Sequence, residues 1–263
     1  MNTRHWVCGL FLGCLLGVFA CVDQPQGYCQ MAQQQGEAHF AVYKAKVEME
    51  GVCEAKRLTA ERIGFETYQL PMQDKISIAW RTETLQQHFD EAMLEGLWSP
   101  EEEQEVSLTL NVLADYSSKP DEENRCYALN NGSNLAEPQL IEFSKTLEAV
   151  GSFPATTYQY QWRNVVVYSM PASSGQLVEG EVTYTIQEEG AEACTGEYSF
   201  VALWPAYVCE SDADCTPSVR GQEGSPINPD FAGYLKCYLQ EGEEEGYCTV
   251  TLPPKELIEK LAK

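Results

Sequence analysis

Positive charge is scarce in this chain: 17 Lys and Arg stand against 40 Asp and Glu, a formal net charge of -23. Nucleic acid is thereby excluded as a partner, because its capture needs clustered cations that displace counterions from phosphates. Anionic membrane surfaces are disfavoured for the same reason, and the bland role of so many carboxylates is surface solvation. Histidine is scarce too, with His5, His39 and His88 the full complement of 3. No Gly-x-Ser-x-Gly elbow, no His-Glu-x-x-His pair and no glycine-rich phosphate loop before Lys-Ser or Lys-Thr occurs. No Cys-x-x-Cys pair or Cys/His cluster has zinc spacing. Nor is there an apolar run of the roughly 20 residues that a membrane-spanning helix needs.

The run that does exist, Trp6 to Ala20, follows Arg4 and stops at Val18-Phe19-Ala20-Cys21. A basic start, a short apolar stretch and a small residue before the break are the parts of an export signal. The end of this run resembles a bacterial lipobox, with Val18 in place of the usual Leu and a bulky Phe19, and that resemblance implies Cys21 as the acylated residue. Cysteine parity supports that reading independently. Of 11 Cys, processing before Cys21 removes Cys8 and Cys14, and acylation occupies Cys21 itself. Eight then remain: Cys29, Cys53, Cys126, Cys194, Cys209, Cys215, Cys237 and Cys248. An even set in an exported chain is what a disulfide framework requires, whereas an ordinary signal that leaves Cys21 as a thiol makes it odd. Several fatty-acyl (palmitate) chains then hold the protein to a bilayer far better than one does. In the lipoproteins that this signal resembles, Asp after the acylated Cys favours retention in the inner membrane, so Val22 here implies the outer membrane.

Beyond residue 38, apolar and polar residues alternate with period two, the mark of half-buried antiparallel strands. Such runs are Ala41 to Met49, Ile76-Ile78-Trp80, Val106 to Ala114, Tyr158-Tyr160-Trp162 with Val165 to Tyr168, Val178 to Ile186, and Tyr198-Phe200-Ala202. Turn signals at Lys119-Pro120-Asp121, Asn130-Asn131-Gly132 and Ser173-Ser174-Gly175 separate them. The expected fold is mainly β: an antiparallel β-sandwich with one short helix and a small disulfide-rich C-terminal module. Leu85, Phe89, Met93 and Leu97 fall four apart and predict that helix, ending near Gly96. His88 and Asp90 beside the stripe read as structural residues. Ser99-Pro100 before three Glu predicts a second helix start of a turn or two, since an apolar face is missing. The expected organisation is a signal over 1–20, a sandwich body over 21–205, a cysteine-rich module over 206–252 and a charged tail over 253–263 that forms at most a short, frayed helix.

From Ala206 to Leu252 the chain carries four Cys and few aliphatics, so disulfides at about 2–4 kcal/mol each must hold it. Cys29 with Cys53 and Cys126 with Cys194 are the economical pairings in the body, leaving the last four to pair among themselves. Eight Cys nevertheless allow on the order of a hundred connectivities. In Cys209-Glu210-Ser211-Asp212-Ala213-Asp214-Cys215, Asp212 and Asp214 offer oxygen ligands that make a calcium candidate, with Glu210 in reach. The loop lacks the Gly and distal Glu of an EF-hand, and Asp serves turns equally well by accepting from backbone N–H groups. The segment resembles the Cys-x-Ser-Asp-x-Asp-Cys element of secreted cysteine-rich modules. With Gly224-Ser225-Pro226-Ile227-Asn228-Pro229-Asp230-Phe231, Cys237 and Cys248, the last 60 or so residues resemble the C-terminal element of a group of myxobacterial lipoproteins. What the resemblance implies is location and architecture.

The aromatic face of Tyr158, Tyr160 and Trp162 fits a sandwich core; exposed instead, it would stack on a sugar or a protein. The expected function is therefore a non-enzymatic, lipid-anchored envelope protein in recognition, adhesion or envelope structure, with no cofactor and an unidentified protein or glycan partner. The alternative is a glycan-directed hydrolase with two acids meeting across a cleft, or a calcium-dependent glycan-binding domain. A third reading, a eukaryotic secreted protein, rests on the sequon Asn131-Gly132-Ser133, which Asn-Gly as a turn dipeptide also explains.

Overall fold

The computed structural model describes residues 28–32, 37–69, 76–130, 139–169, 174–219, 224–240 and 242–261. Cys21 and the sequon at Asn131 lie outside the described residues. The predicted runs account for six of nine strands, and β2, β5 and β6 arise where no run was singled out: β1 (His39–Val47), β2 (Ala60–Gln69), β3 (Ile76–Thr82), β4 (Val112–Tyr116), β5 (Arg125–Leu129), β6 (Leu140–Leu147), β7 (Thr156–Tyr168), β8 (Leu177–Glu188) and β9 (Cys194–Leu203). All pair antiparallel in one sheet of order β5-β4-β3-β2-β1-β9-β8-β7-β6.

The sheet closes on itself, so the core lies inside one curled sheet rather than between two. One edge of β7 pairs with β6 over Thr156 to Arg163 and with β5 over Val166 to Tyr168. The change of partner falls where the β7–β8 register shifts between Arg163 and Val166, beside Asn164 at φ 50°. Asn tolerates that left-handed conformation, and a bulge bends a strand sharply enough to re-aim it. The ring of β1 to β5 and β7 to β9 is an up-and-down barrel, which leaves few open edges to pair with other chains.

Eight strands enclose just enough room for side chains to fill. Trp80, Trp162, Tyr160, Tyr184, Tyr198 and Phe200 occupy the interior, all fully buried. Trp162 lies flat against Tyr160 at 5.6 Å and meets Trp80 and Phe200 edge-on at 5.9 and 5.3 Å. Two glycines make the aromatics fit. A Cβ at Gly180 would stand 2.7 Å from the Phe200 ring, and one at Gly196 would stand 2.6 Å from the Tyr198 hydroxyl.

Helix α1 (Glu83–Leu94) packs through Leu85, His88, Phe89 and Ala92, so only the first half of the four-spaced stripe faces the core. Met93 and Leu97 are instead 40% and 45% exposed, because the helix ends before Leu97 can join its face. Gly96 at φ 67° ends it: Leu97 N–H donates to Ala92 O and Gly96 N–H to Met93 O, a Schellman pair. Helix α2 (Pro100–Thr109) is longer than the turn or two expected and absorbs Val106 and Leu108 from the predicted strand. A capping box between Ser99 and Glu102 with Pro100 behind it outweighs the local alternation, though α2 buries no residue. The strand survives only from Val112.

The C-terminal region forms a three-stranded sheet of β10 (Val208–Cys209), β12 (Gly246–Val250) and β11 (Leu235–Tyr238), followed by helix α3 (Pro254–Leu261). Its core is shared. Ile227, Phe231, Val250, Leu257 and Ile258 pack with Val166, Tyr168, Leu177 and Leu203 from the outside of the barrel. The tail is thus a docked helix with Leu257 and Ile258 buried, not a frayed one. Phe40 on β1 stacks on Tyr247 at 4.6 Å and fastens the module to the strand beneath it.

Four disulfides staple the whole. They join Cys29 to Cys126, Cys53 to Cys194, Cys209 to Cys237 and Cys215 to Cys248. The body pairings differ from the economical ones because sequence neighbours Cys29 and Cys53 end at different places on the barrel. Cys29 is held at the turn between β4 and β5 by its N–H bond to Ser118 O at 3.2 Å, whereas Cys53 lies in a 3-10 turn, Gly51–Lys56, joined to Cys194 at the start of β9.

Candidate functional site

A buried polar cluster lies inside the barrel at the start of β2, near α1. Glu61, 6% exposed, accepts from Tyr43 Oη at 2.7 Å, from Thr84 N at 3.0 Å and from Thr84 Oγ1 at 2.7 Å. Thr82 at the N-cap makes no side-chain capping bond. Glu61 therefore supplies from β2 the capping acceptor that Thr82 does not, taking the Thr84 N–H in the first turn of α1. Burial pushes its pKa up, while the bonds from Tyr43 and Thr84 oppose the shift. Sequence reasoning missed Glu61, although it shares the parity of Ile63 and Phe65 on β2 and so points inward with them.

Both described histidines act as struts. His39 Nε2 donates to Gly175 O at 2.9 Å, and its ring meets Phe65 edge-on at 5.1 Å. His88 is fully buried; its Nε2 donates to Glu148 O at 2.8 Å, tying α1 to the segment after β6. Burial lowers the His39 pKa from 6.5 to about 4, so the fold favours the neutral ring. Stability from this group is complete above about pH 6.5 and is lost as pH falls towards 4, roughly 3 kcal/mol in all. Glu61 acts in the opposite sense, its contribution being present below its ordinary pKa and lost as pH rises through the raised one. Urea unfolding of His39→Gln between pH 6.5 and 4 should lose about 3 kcal/mol less than the parent. Parallel pH profiles would show that His39 is not held neutral.

The aromatic face is core, as favoured over an exposed platform: Tyr158, Tyr160 and Trp162 are 3%, 0% and 0% exposed. Asp214 Oδ2 accepts from Glu210 N at 3.0 Å and from Ser211 N at 2.8 Å, and these backbone bonds hold its carboxyl below the usual range. Asp212 Oδ1 accepts from Cys237 N at 2.8 Å. The two candidate calcium ligands thus each close a loop, one within the Cys209–Cys215 turn and one from that turn to β11.

A groove suited to recognition lies outside the barrel, where the module overhangs β1, β9, β8 and β7. A groove of about 640 Å³ opens there. Val42, Val166, Val201, Val250 and Leu252 make its apolar floor and walls, with Tyr238 and Pro254 at the module side. Its volume falls within the range of small-ligand sites. Glu181 pairs with Lys46 and Glu179 accepts from the Tyr168 hydroxyl. Lys44 and Lys236, both exposed, line the same groove and form no ion pair among the described residues. No motif marked this groove, because its residues come from two regions whose docking alternation does not encode.

These features define a class: a packed, disulfide-stapled antiparallel barrel whose exposed chemistry is a groove against an appended module. The chain belongs to the MlpA family, whose model matches residues 37–205. That span begins two residues before β1 and ends just past β9, so the family unit coincides with the barrel. A Myxococcus xanthus protein described as "Putative lipoprotein MlpA" is 34% identical over 94 residues, 36% of this chain and 37% of that protein. The alignment thus spans little more than a third of the relative. No solved structure gives a significant match.

Proposed function

We propose that the protein is a non-enzymatic, lipid-anchored component of the cell envelope, acylated at Cys21 and held at the outer membrane, which recognises a partner through the groove between barrel and module. The groove is the observation that carries the recognition role: an apolar floor beside two exposed lysines, Lys44 and Lys236, that form no ion pair among the described residues, in a chain where cations are few. Anchoring is supported by Val18-Phe19-Ala20-Cys21 and by the description of the Myxococcus xanthus relative. The role needs no metal or cofactor in this reading.

Two experiments test it. A photocrosslinking residue at Val42, on the groove floor, should give a discrete adduct in intact cells that disappears when Lys44 and Lys236 are both changed to Glu. An adduct that survives the charge reversal, or none at all, defeats the groove. Separately, Cys21→Ser should move the protein from the detergent phase to the aqueous phase on Triton X-114 partition, since the acyl chains supply the membrane affinity. Unchanged partition would rule out acylation at Cys21.

A further inference from the structure

The two disulfides of the module share one cluster of sulfurs. The Sγ atoms of Cys209, Cys215 and Cys248 all lie within 4.8 Å of one another, although Cys209 is bonded to Cys237 and Cys215 to Cys248. The strands bring them together: Cys237 and Cys248 sit directly opposite in the β11–β12 pair, and Cys209 ends β10 on the other side of β12. Access is unequal. Cys209, Cys215 and Cys248 are 2%, 0% and 0% exposed, while Cys237 is half-buried on β11, the edge strand of the small sheet. Cys53 in the body is also half-buried, but no third cysteine sulfur accompanies its bond to Cys194 among the described residues.

We propose that Cys237 is a thiol-exchange site, and that exchange begun there passes into the buried Cys215–Cys248 bond. The reagent is a thiolate, from a low-mass thiol or a protein dithiol. It attacks Cys237 Sγ; a sulfur–sulfur bond forms to Cys237, the Cys209–Cys237 bond breaks, and the electron pair leaves on Cys209 Sγ. The Cys209 thiolate, already beside the second disulfide, attacks Cys215 or Cys248 and expels the other as a thiolate. That thiolate then displaces the external sulfur from Cys237. Two disulfides exist before and after, the external thiol is regenerated, and no net oxidant or reductant is consumed. Lys236 and Tyr238 flank Cys237 and line the groove, and Asp212 holds the Cys237 N–H. Exchange at this sulfur therefore acts on the groove wall.

The test uses the full mature protein with reduced glutathione as the probe, quenched with acid and N-ethylmaleimide and mapped by peptide mass spectrometry. Expected are glutathione on Cys237 and new peptides joining Cys209 to Cys215 or Cys248, with the barrel disulfides unchanged. Glutathione uptake without those new links overturns the relay, as does no uptake at Cys237 under conditions that reduce Cys53–Cys194. A second arm uses Cys237→Ser, which leaves Cys209 as a resident thiol. It should lose uniform alkylation at Cys209 and yield a mixture of disulfides among Cys209, Cys215 and Cys248, whereas Cys53→Ser should keep Cys194 as its single alkylated site. If Cys237→Ser shows Cys209 alkylated in every molecule, the sulfurs do not communicate; should that variant not fold, the glutathione arm decides alone.

Discussion

Replacing Cys29 and Cys126 together by alanine is expected to lower the unfolding free energy by about 4–5 kcal/mol, as a cross-link closing a loop of about 100 residues should. The bond spans a sequence separation of 97 and ties the segment before β1 to β5, the strand that closes the barrel against β7. For a chain of this size the loss corresponds to a fall in melting temperature of roughly 8–20 °C. Thermal and urea unfolding followed by circular dichroism would measure it. The Cys53–Cys194 bond, with a separation of 141, offers the internal comparison. If restriction of the unfolded chain is the mechanism, its removal should cost within about 0.5 kcal/mol of the same amount, because closure entropy grows only slowly with length. A cost below about 1 kcal/mol for Cys29 and Cys126 would mean that the unfolded chain is held compact by something else.

Trp162→Ala is expected to cost about 3–5 kcal/mol, the range for truncating a fully buried aromatic where the surroundings cannot collapse. Collapse is hindered here because Trp162 touches rings from three directions: Tyr160 on its own strand, Trp80 on β3 and Phe200 on β9. Those rings are anchored to separate strands of a closed ring, so no single movement fills the void. Trp162→Phe keeps much of the volume and should cost less than half as much. Urea midpoints for the two variants, with near-ultraviolet circular dichroism as the check on packing, separate the outcomes. A cost below about 1 kcal/mol for the alanine variant would place Trp162 outside the core.

Much of the barrel was legible in the sequence, and the reason is specific. Strands β8 and β9, and β7 as far as its bulge, alternate because one face meets aromatic core and the other meets solvent or the module. Elements set by a single local device were harder. Val106 and Leu108 keep period two with Val112, yet the Ser99–Glu102 box makes them helical. Closure was not legible, since it rests on three residue pairs between β5 and β7 that lie some forty residues apart in the chain. The body disulfides followed the curl of the sheet rather than sequence proximity. The likeness to myxobacterial lipoproteins was read in the C-terminal element, whereas the family match covers the barrel. The groove was the least legible feature, because Lys44 and Lys236 become neighbours only when two regions dock.

Pinning Cys29 to β5 also sets the length of a leash. From Cys21 to Cys29 runs a stretch of roughly eight residues, which spans at most about 29 Å when fully extended. An acylated Cys21 would then keep the barrel within about one barrel diameter of the lipid, with no long stalk to let it roam. With Cys21 acylated, whatever the groove receives would have to come to the membrane surface to meet it.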